Sequence, residues 1–308
     1  GSLKLLVENG YNVVAVVTQP DKPVGRHGSV LRASAVKEYA LEHGLPVLQP
    51  VKMKDPEFVE QLREYNADLQ VVVAFRMLPE VIWDMPRFGT FNVHAALLPQ
   101  YRGAAPINWA VINGETKTGV TTFFLDHDID TGRIIMQREF PIPDDADVEY
   151  VYDGLMELGA GICQDTVDLV ISTDGNVPSQ PQREDIELKA APKIFKETCQ
   201  IDWNNNAKRI YDFVRGLSPY PGTWTTLASN SETEKTEASI IKIFKTCKTG
   251  INCNGTAPGT MKTENTKLMV AANDEWLDIV ELQAAGKKRM AARDFLNGFK
   301  HITDMHMK

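Results

Sequence analysis

Apolar and polar positions alternate in blocks along the first two-thirds of the chain. Asn12-Val13-Val14-Ala15-Val16-Val17 is a β-branched run ending in Thr18-Gln19-Pro20-Asp21-Lys22-Pro23, which predicts a buried strand followed by a Pro-punctuated loop. Val36, Tyr39 and Ala40 recur at helical spacing within residues 34–43, and Gly44 stops the pattern. Residues 45–48 predict a short strand, and 56–65 an amphipathic helix through Phe58, Val59 and Leu62. Residues 69–75 are almost continuously apolar, the pattern of a strand covered on both faces by helices. Residues 90–94 and 120–125 read as further strands. Strands alternating with helices predict βαβ units, hence an α/β domain with a mostly parallel, doubly wound sheet. Such sheets bind ligands at the carboxyl ends of their strands.

The pattern breaks at residues 172–208, where Pro178, Pro181 and Pro192 stand among polar residues as in a linker. A helix over 207–217 follows, then the turn Pro219-Tyr220-Pro221-Gly222. Short β-rich runs at 223–227, 239–245, 259–261, 268–271 and 277–282 then predict a small β-barrel.

Composition narrows this picture. With 308 residues, 43% hydrophobic and 24% charged, the chain has the make-up of a folded protein of about two domains. No stretch approaches ~18 consecutive apolar residues, so no membrane span is expected. The start lacks a signal-peptide pattern, and the four cysteines (Cys163, Cys199, Cys247, Cys253) form no CxxC pair. A cytoplasmic protein without structural zinc is the expectation. The net charge of -8 argues against a nucleic-acid partner until it is divided along the chain. Residues 203–308 hold 15 Lys and Arg against 11 Asp and Glu, a net of +4, so the acidity belongs to the first 202 residues.

The densest chemistry lies in residues 91–106. Asn92 and His94 alternate on a strand and so point to one side, where an amide and an imidazole can donate to an oxyanion and move a proton. A His and an Asn satisfied in a polar turn is the plainer reading. Downstream, Asp126, Asp128 and Asp130 are spaced like the start of an EF-hand loop. Thr131 takes the place of the required Gly and Gln137 that of the required Glu, which argues against calcium. A turn-former, a metal ligand and a partner for His94 remain open roles for these carboxylates.

Asn92-x-His94, then Leu97-Leu98-Pro99-x-Tyr101-Arg102-Gly103, then Asp130-Thr131-Gly132 resemble the signature of the 10-formyltetrahydrofolate-dependent formyltransferases. Residues 18–26, 283–290 and 294–298 extend the resemblance over essentially the whole chain, toward the branch that formylates methionyl-tRNA. The resemblance implies a Rossmann-like formyltransferase domain over residues 1–180, a linker over 181–205 and an OB-like, tRNA-binding barrel over 206–308. It implies Asn92, His94 and Asp130 as catalytic residues, with Asp130 favouring the imidazolium of His94 and relaying a proton through water. The cosubstrate implied is 10-formyltetrahydrofolate, held by Ala96, Leu97, Leu98 and Pro99 and by Phe75, Arg76, Met77 and Leu78, without a metal. Core packing is the alternative for the apolar members of that set. Ala96 stands where the family usually has Ser, so a hydroxyl contact there is lost while a backbone contact survives.

The partner implied is initiator methionyl-tRNA, contacted by Arg26, Lys22 and Arg32 in one loop and by Lys287, Lys288 and Arg289, with Arg293, on the barrel. Solvated surface charge is the alternative for each group. Nothing in the sequence calls for a dimer, so a monomer is expected. The family opens with a strand and turn close to Phe-x-Gly-Thr-Pro-x-Phe, whereas this sequence opens in the following helix, residues 3–10. An incomplete sequence is the expectation, because dropping an interior strand leaves buried backbone groups unpaired at ~1–3 kcal/mol each. Two other readings remain: a formyltransferase acting on a 4-amino-sugar nucleotide, and a non-catalytic RNA-binding module. The 19–26 loop and the Lys287 cluster oppose the former, and the intact Asn92, His94 and Asp130 oppose the latter.

Overall fold

The computed structural model describes residues 1–308 apart from 26, 27, 29, 232–237 and 300. The chain divides into two units, one of Gly1–Arg102, Gly119–Phe140 and Gly154–Leu188, the other of Gly103–Thr118, Pro141–Asp153 and Lys189–Lys308.

In the N-terminal unit the predicted helices form where capping residues start them. Ser34 Oγ accepts from the Lys37 amide and begins helix Ala35–Glu42, and the Asp55 carboxylate accepts from the Glu57 amide ahead of Pro56–Glu64. The second of these helices lays Phe58 and Leu62 against Met53 and Ile82. Strand Val16–Val17 pairs parallel with Val47–Leu48, and Gln70–Val73 pairs parallel with Thr90–His94. Thr90–His94 also pairs antiparallel with Lys117–Phe124, and Ile134–Pro141 completes a four-stranded sheet. The α/β class with parallel pairing is thus the one the sequence predicts.

Three details differ from the expectations of the sequence. The apolar run over residues 12–17 forms a ladder only at Val16 and Val17, because its partner strand is itself two residues long. Gln70–Val73 lies at the edge of its sheet, and Val73 is 47% exposed, so the expected burial on both faces is not met. An edge strand leaves one row of its backbone groups, and the side chains beside them, open to solvent. Helix Val148–Ser172 goes beyond the elements expected from the sequence, although its buried positions, among them Leu155, Ile162, Cys163, Thr166 and Val170, recur at helical spacing along one face.

The second unit is a nearly closed antiparallel barrel. Its strands run in the order Met261–Glu264, Lys267–Ala271, Glu275–Ala284, Ser239–Asn252, Thr223–Ser229 and Met305–Met307, with Met290–Ala291 also paired to Glu275–Ala284. The ends meet where the Met307 amide donates to the Gly259 carbonyl at 2.9 Å. Gly259 has φ +84°, and a Cβ there would run into the Met307 carbonyl, so only glycine permits this closure. Helix Ala207–Gly216, capped by Asn206, contributes Ile210 and Val214 to a core with Ile241, Ile243, Leu268, Leu277, Ile279 and Leu282. Every predicted strand region is present. Met290–Ala291 and Met305–Met307 are too short to carry a periodic signal, and Ser239–Asn252 runs past its apolar part through register shifts.

Candidate active site

His94 ends its strand at the carboxyl edge of the sheet, where parallel pairing leaves room for ligands. Asn92 sits opposite Phe123 in the ladder, and the Phe123 ring meets the His94 ring edge-on at 6.3 Å, so Asn92 and His94 share a face. His94 is buried, and its Nε2 donates to the Tyr101 carbonyl at 2.9 Å. A carbonyl only accepts, which assigns the proton to Nε2 and turns Nδ1 toward Asp130. Nδ1 lies 3.8 Å from Asp130 Oδ2, longer than a hydrogen bond and within ion-pair range. The Asn92 amide oxygen is buried with no hydrogen-bond partner among the described residues. Leaving such a group unpaired costs ~1–3 kcal/mol, and a half-turn of the amide would present its NH2 at the same place.

The loop that brings Asp130 to His94 is tied from three directions. The Asp126 carboxylate accepts from the Asp128 amide at 3.2 Å and the Thr131 hydroxyl at 2.8 Å, which makes Asp126 the turn-former of the three aspartates. A Cβ on Gly132 would collide with the Phe124 carbonyl, so this position must be glycine for the loop to lie against its strand. Gln182 donates its amide to the carbonyls of Asp130 at 2.7 Å and Gly132 at 2.9 Å. The Gln182 oxygen in turn accepts from Arg102 Nε at 3.0 Å and Nη2 at 2.8 Å.

The segment 96–99 is shaped by a threonine. The Thr121 hydroxyl donates to the Ala96 carbonyl at 2.6 Å and accepts from the Leu98 amide at 3.1 Å. Gln137 donates to the Leu98 carbonyl at 2.8 Å and to Thr121 Oγ1 at 3.0 Å. Ala96 and Leu98 are buried, while Leu97 and Pro99 are half-buried. The 75–78 set divides: Phe75 and Leu78 pack on the Met53 and Phe58 cluster, whereas Arg76 and Met77 face outward. Arg76 is fixed by donating to the carbonyls of Pro50 at 2.7 Å and Val51 at 3.1 Å.

Backbone strain marks the same loops. Among described non-glycine residues with positive φ, all but two are Asn or Asp, which tolerate the left-handed region. The exceptions are Ala74, at φ +49° beside the 75–78 segment, and Tyr101, at φ +61° where its carbonyl accepts from His94. Strain of ~1–3 kcal/mol per residue persists where the surroundings over-determine it, commonly at ligand sites.

The basic positions divide as well. Lys22–Val24 and Val30–Arg32 form an antiparallel hairpin rather than an open loop, with Lys22 directly opposite Arg32. Arg26 lies outside the described residues. Lys287 and Lys288 are exposed on the turn after Ala284. Arg289 instead pairs with Glu281 and lies over the Phe244 ring at 4.6 Å, which ties it to the barrel. Burial pushes the Cys163 thiol up to about 11 and raises Cys199 and Cys253, so these three stay protonated at neutral pH and are not activated nucleophiles.

Thr121, Gln137 and Gln182 escape a reading of the sequence. Each is a lone polar residue whose partners are distant in sequence, 52 positions in the case of Gln182 and Asp130, so no local spacing reveals it.

A histidine faced by a carboxylate, beside an unpaired amide oxygen at the end of a buried strand, can stabilise an oxyanion and move a proton, and comparison with known proteins identifies the family. The formyl transferase family matches residues 3–167 and its C-terminal domain matches residues 193–300. The chain belongs to the formyl transferase family. Within it, the chain is 59% identical to the methionyl-tRNA formyltransferase of Parabacteroides distasonis, over 98% of this chain and 93% of that protein. It is 55% identical to the Bacteroides fragilis methionyl-tRNA formyltransferase, over 98% and 92%. The sugar 3N-formyl transferase WlaRD, solved with dTDP and 5-N-formyl-THF, shares the fold at TM-score 0.64 and 18% identity, covering 93% of this chain and 94% of that one. HypX from Aquifex aeolicus, solved with tetrahydrofolic acid, shares it at TM-score 0.58 and 17% identity, over 93% and 47%. Among the described residues, no helix is long and apolar enough to cross a membrane.

Proposed function

We propose that this enzyme transfers the formyl group of 10-formyltetrahydrofolate to the free α-amine of methionyl-tRNA, with Asn92, His94 and Asp130 as its catalytic residues. The observation that carries the assignment of roles is the pairing of His94 Nδ1 with Asp130 Oδ2 at 3.8 Å beside the unpartnered Asn92 amide oxygen. Relatives sharing 43–59% of their residues with this chain are methionyl-tRNA formyltransferases, which favours the tRNA substrate over an amino-sugar nucleotide. The sugar formyltransferases match at the level of fold.

The buried Asn92 amide oxygen and the 96–99 segment fit a folate at this strand end, because they offer an unfilled polar partner beside apolar walls. The folate supplies an activated formyl group on nitrogen. As the amine attacks, negative charge develops on the formyl oxygen; Asn92 Nδ2 is the donor that meets it, and His94, its Nε2–H given to the Tyr101 carbonyl and its Nδ1 turned to Asp130, lends the charge of its ring beside it. Such a donor is commonly worth ~10²–10³ in rate. The attacking amine loses a proton and the departing nitrogen gains one, and Asp130 accepts and returns it through water. Residues 75–78 and 96–99 form the folate side of the site. Lys22, Arg26, Arg32, Lys287 and Lys288 form the RNA side, on a catalytic region of residues 1–180 and a barrel of 206–308 joined by 181–205. The enzyme acts as a monomer in the cytoplasm.

Single-turnover transfer to methionyl-tRNA tests the roles: His94→Ala, Asn92→Ala and Asp130→Ala should each lose most of the rate while folate binding remains. Near-normal transfer by any of them contradicts its role. Arg26→Ala should weaken use of methionyl-tRNA more than folate binding, and equal loss in both, or none, contradicts that assignment.

A further inference from the structure

The segment 192–196 is pinned at both ends and from below, yet displays its ring to solvent. The Trp109 indole donates to the Pro192 carbonyl at 2.8 Å, and the Trp224 indole donates to the Lys196 carbonyl at 2.8 Å. Between these anchors Ile194 packs on the buried cluster of Ile112, Cys199 and Leu217. The segment is therefore rigid, and what it presents outward is Lys193, Phe195 and Lys196. Phe195 is 57% exposed, with Lys193 Nζ 5.5 Å from its ring centre. Tyr220, 83% exposed, lines a depression of about 270 Å³ together with Lys193, Ile194, Ala105 and Asn108.

Two aromatic rings thus stand exposed beside lysines, that of Phe195 on anchored backbone. Lysine is depleted in protein–protein interfaces, whereas aromatic faces interleaved with cations are how unpaired nucleic-acid bases are held. The rings stack on bases of any sequence, and the ammonium groups meet the phosphates between them. We infer that Tyr220, Phe195 and Lys193 form a stacking platform for the unpaired nucleotides at the 3′ end of the acceptor RNA. This rests on the reading that the substrate is an aminoacylated RNA, whose amino acid is carried on a single-stranded end.

The test uses the full chain and two fluorescent RNA hairpins, identical except that one is blunt and the other carries four unpaired 3′ nucleotides. The wild type should bind the overhang hairpin more tightly than the blunt one. Base stacking on an aromatic residue is typically lost on alanine substitution at a cost of about fivefold or more in affinity. Tyr220→Ala and Phe195→Ala should therefore each weaken overhang binding by about that factor, leave blunt binding unchanged and raise KM for methionyl-tRNA with the folate KM constant. Tyr220→Trp should restore overhang binding, which a loss of folding would not allow. Equal loss on both hairpins, no loss on either, or no wild-type preference for the overhang overturns the platform. If the overhang preference and its loss in Tyr220→Ala hold but no formyl transfer to methionyl-tRNA occurs, the platform stands and the proposed reaction falls.

Discussion

Gln182 donates its side-chain amide to the main-chain carbonyl of Asp130 at 2.7 Å, while Arg102 holds the other end of the same side chain. Asp130 thus faces His94 because a residue from beyond the long helix clamps its loop. Gln182→Ala should lower kcat by up to about 10²-fold, as expected for a small misplacement of a reacting group, with the folate KM little changed. Gln182→Glu cannot donate to the carbonyls and should not rescue it. Steady-state kinetics check both, and unchanged kcat in Gln182→Ala would show that the Asp130 loop holds its place unaided.

Thr121 is fully buried and serves Ala96, Leu98 and Gln137 with one hydroxyl. Thr121→Val keeps the shape and removes every one of those bonds, so stability should fall by about 1–3 kcal/mol for the groups left unpaired. Folate binding should weaken as the 96–99 segment loses its template. Urea denaturation and folate titration measure the two effects.

Lys287 and Arg289 are two residues apart and should behave differently. Lys287 is exposed, so Lys287→Ala should reduce the salt dependence of RNA binding by about one phosphate contact. Arg289 is held by Glu281 and Phe244, so Arg289→Ala should chiefly lower thermal stability. Salt titrations of RNA binding and thermal melts separate the outcomes.

Asp278 lies on a barrel strand with its side chain 12% exposed, and burial raises its carboxyl above the usual range, only partly offset by Lys267 at 4.0 Å. A carboxyl raised in the folded state favours folding when protonated, so its contribution is present below its unfolded value and is lost as pH rises through the folded one. Asp278→Asn should therefore raise Tm at pH 7–8, with the gain shrinking toward about pH 4, near the ordinary carboxyl value. A Tm difference independent of pH would contradict this.

Part of this structure is legible in the sequence because it is local. Asn92 and His94 are two apart on a strand whose bounds, Thr90–His94, follow from its own alternation, and helix Ala35–Glu42 follows from the spacing of Val36, Tyr39 and Ala40. Asp130 becomes a candidate only through the spacing of a family motif, since a carboxylate in a loop has several uses. The edge position of Gln70–Val73 is not legible, because an apolar run looks the same whether one neighbour or two will pair with it. Gln182, Thr121 and Gln137 act through contacts between distant segments, which exist only once the chain has folded.

That Asn92, His94 and Asp130 together formylate an amine carried on tRNA concerns both substrate and residues, and one experiment reaches both. Enzyme and 10-formyltetrahydrofolate are mixed with either methionyl-tRNA or a 4-amino-sugar nucleotide, and single-turnover formation of the formylated product is followed for the wild type and for His94→Ala. Rapid product with methionyl-tRNA alone is expected, slowed by about 10² or more in His94→Ala. Preference for the sugar nucleotide, or undiminished transfer by His94→Ala, would contradict it.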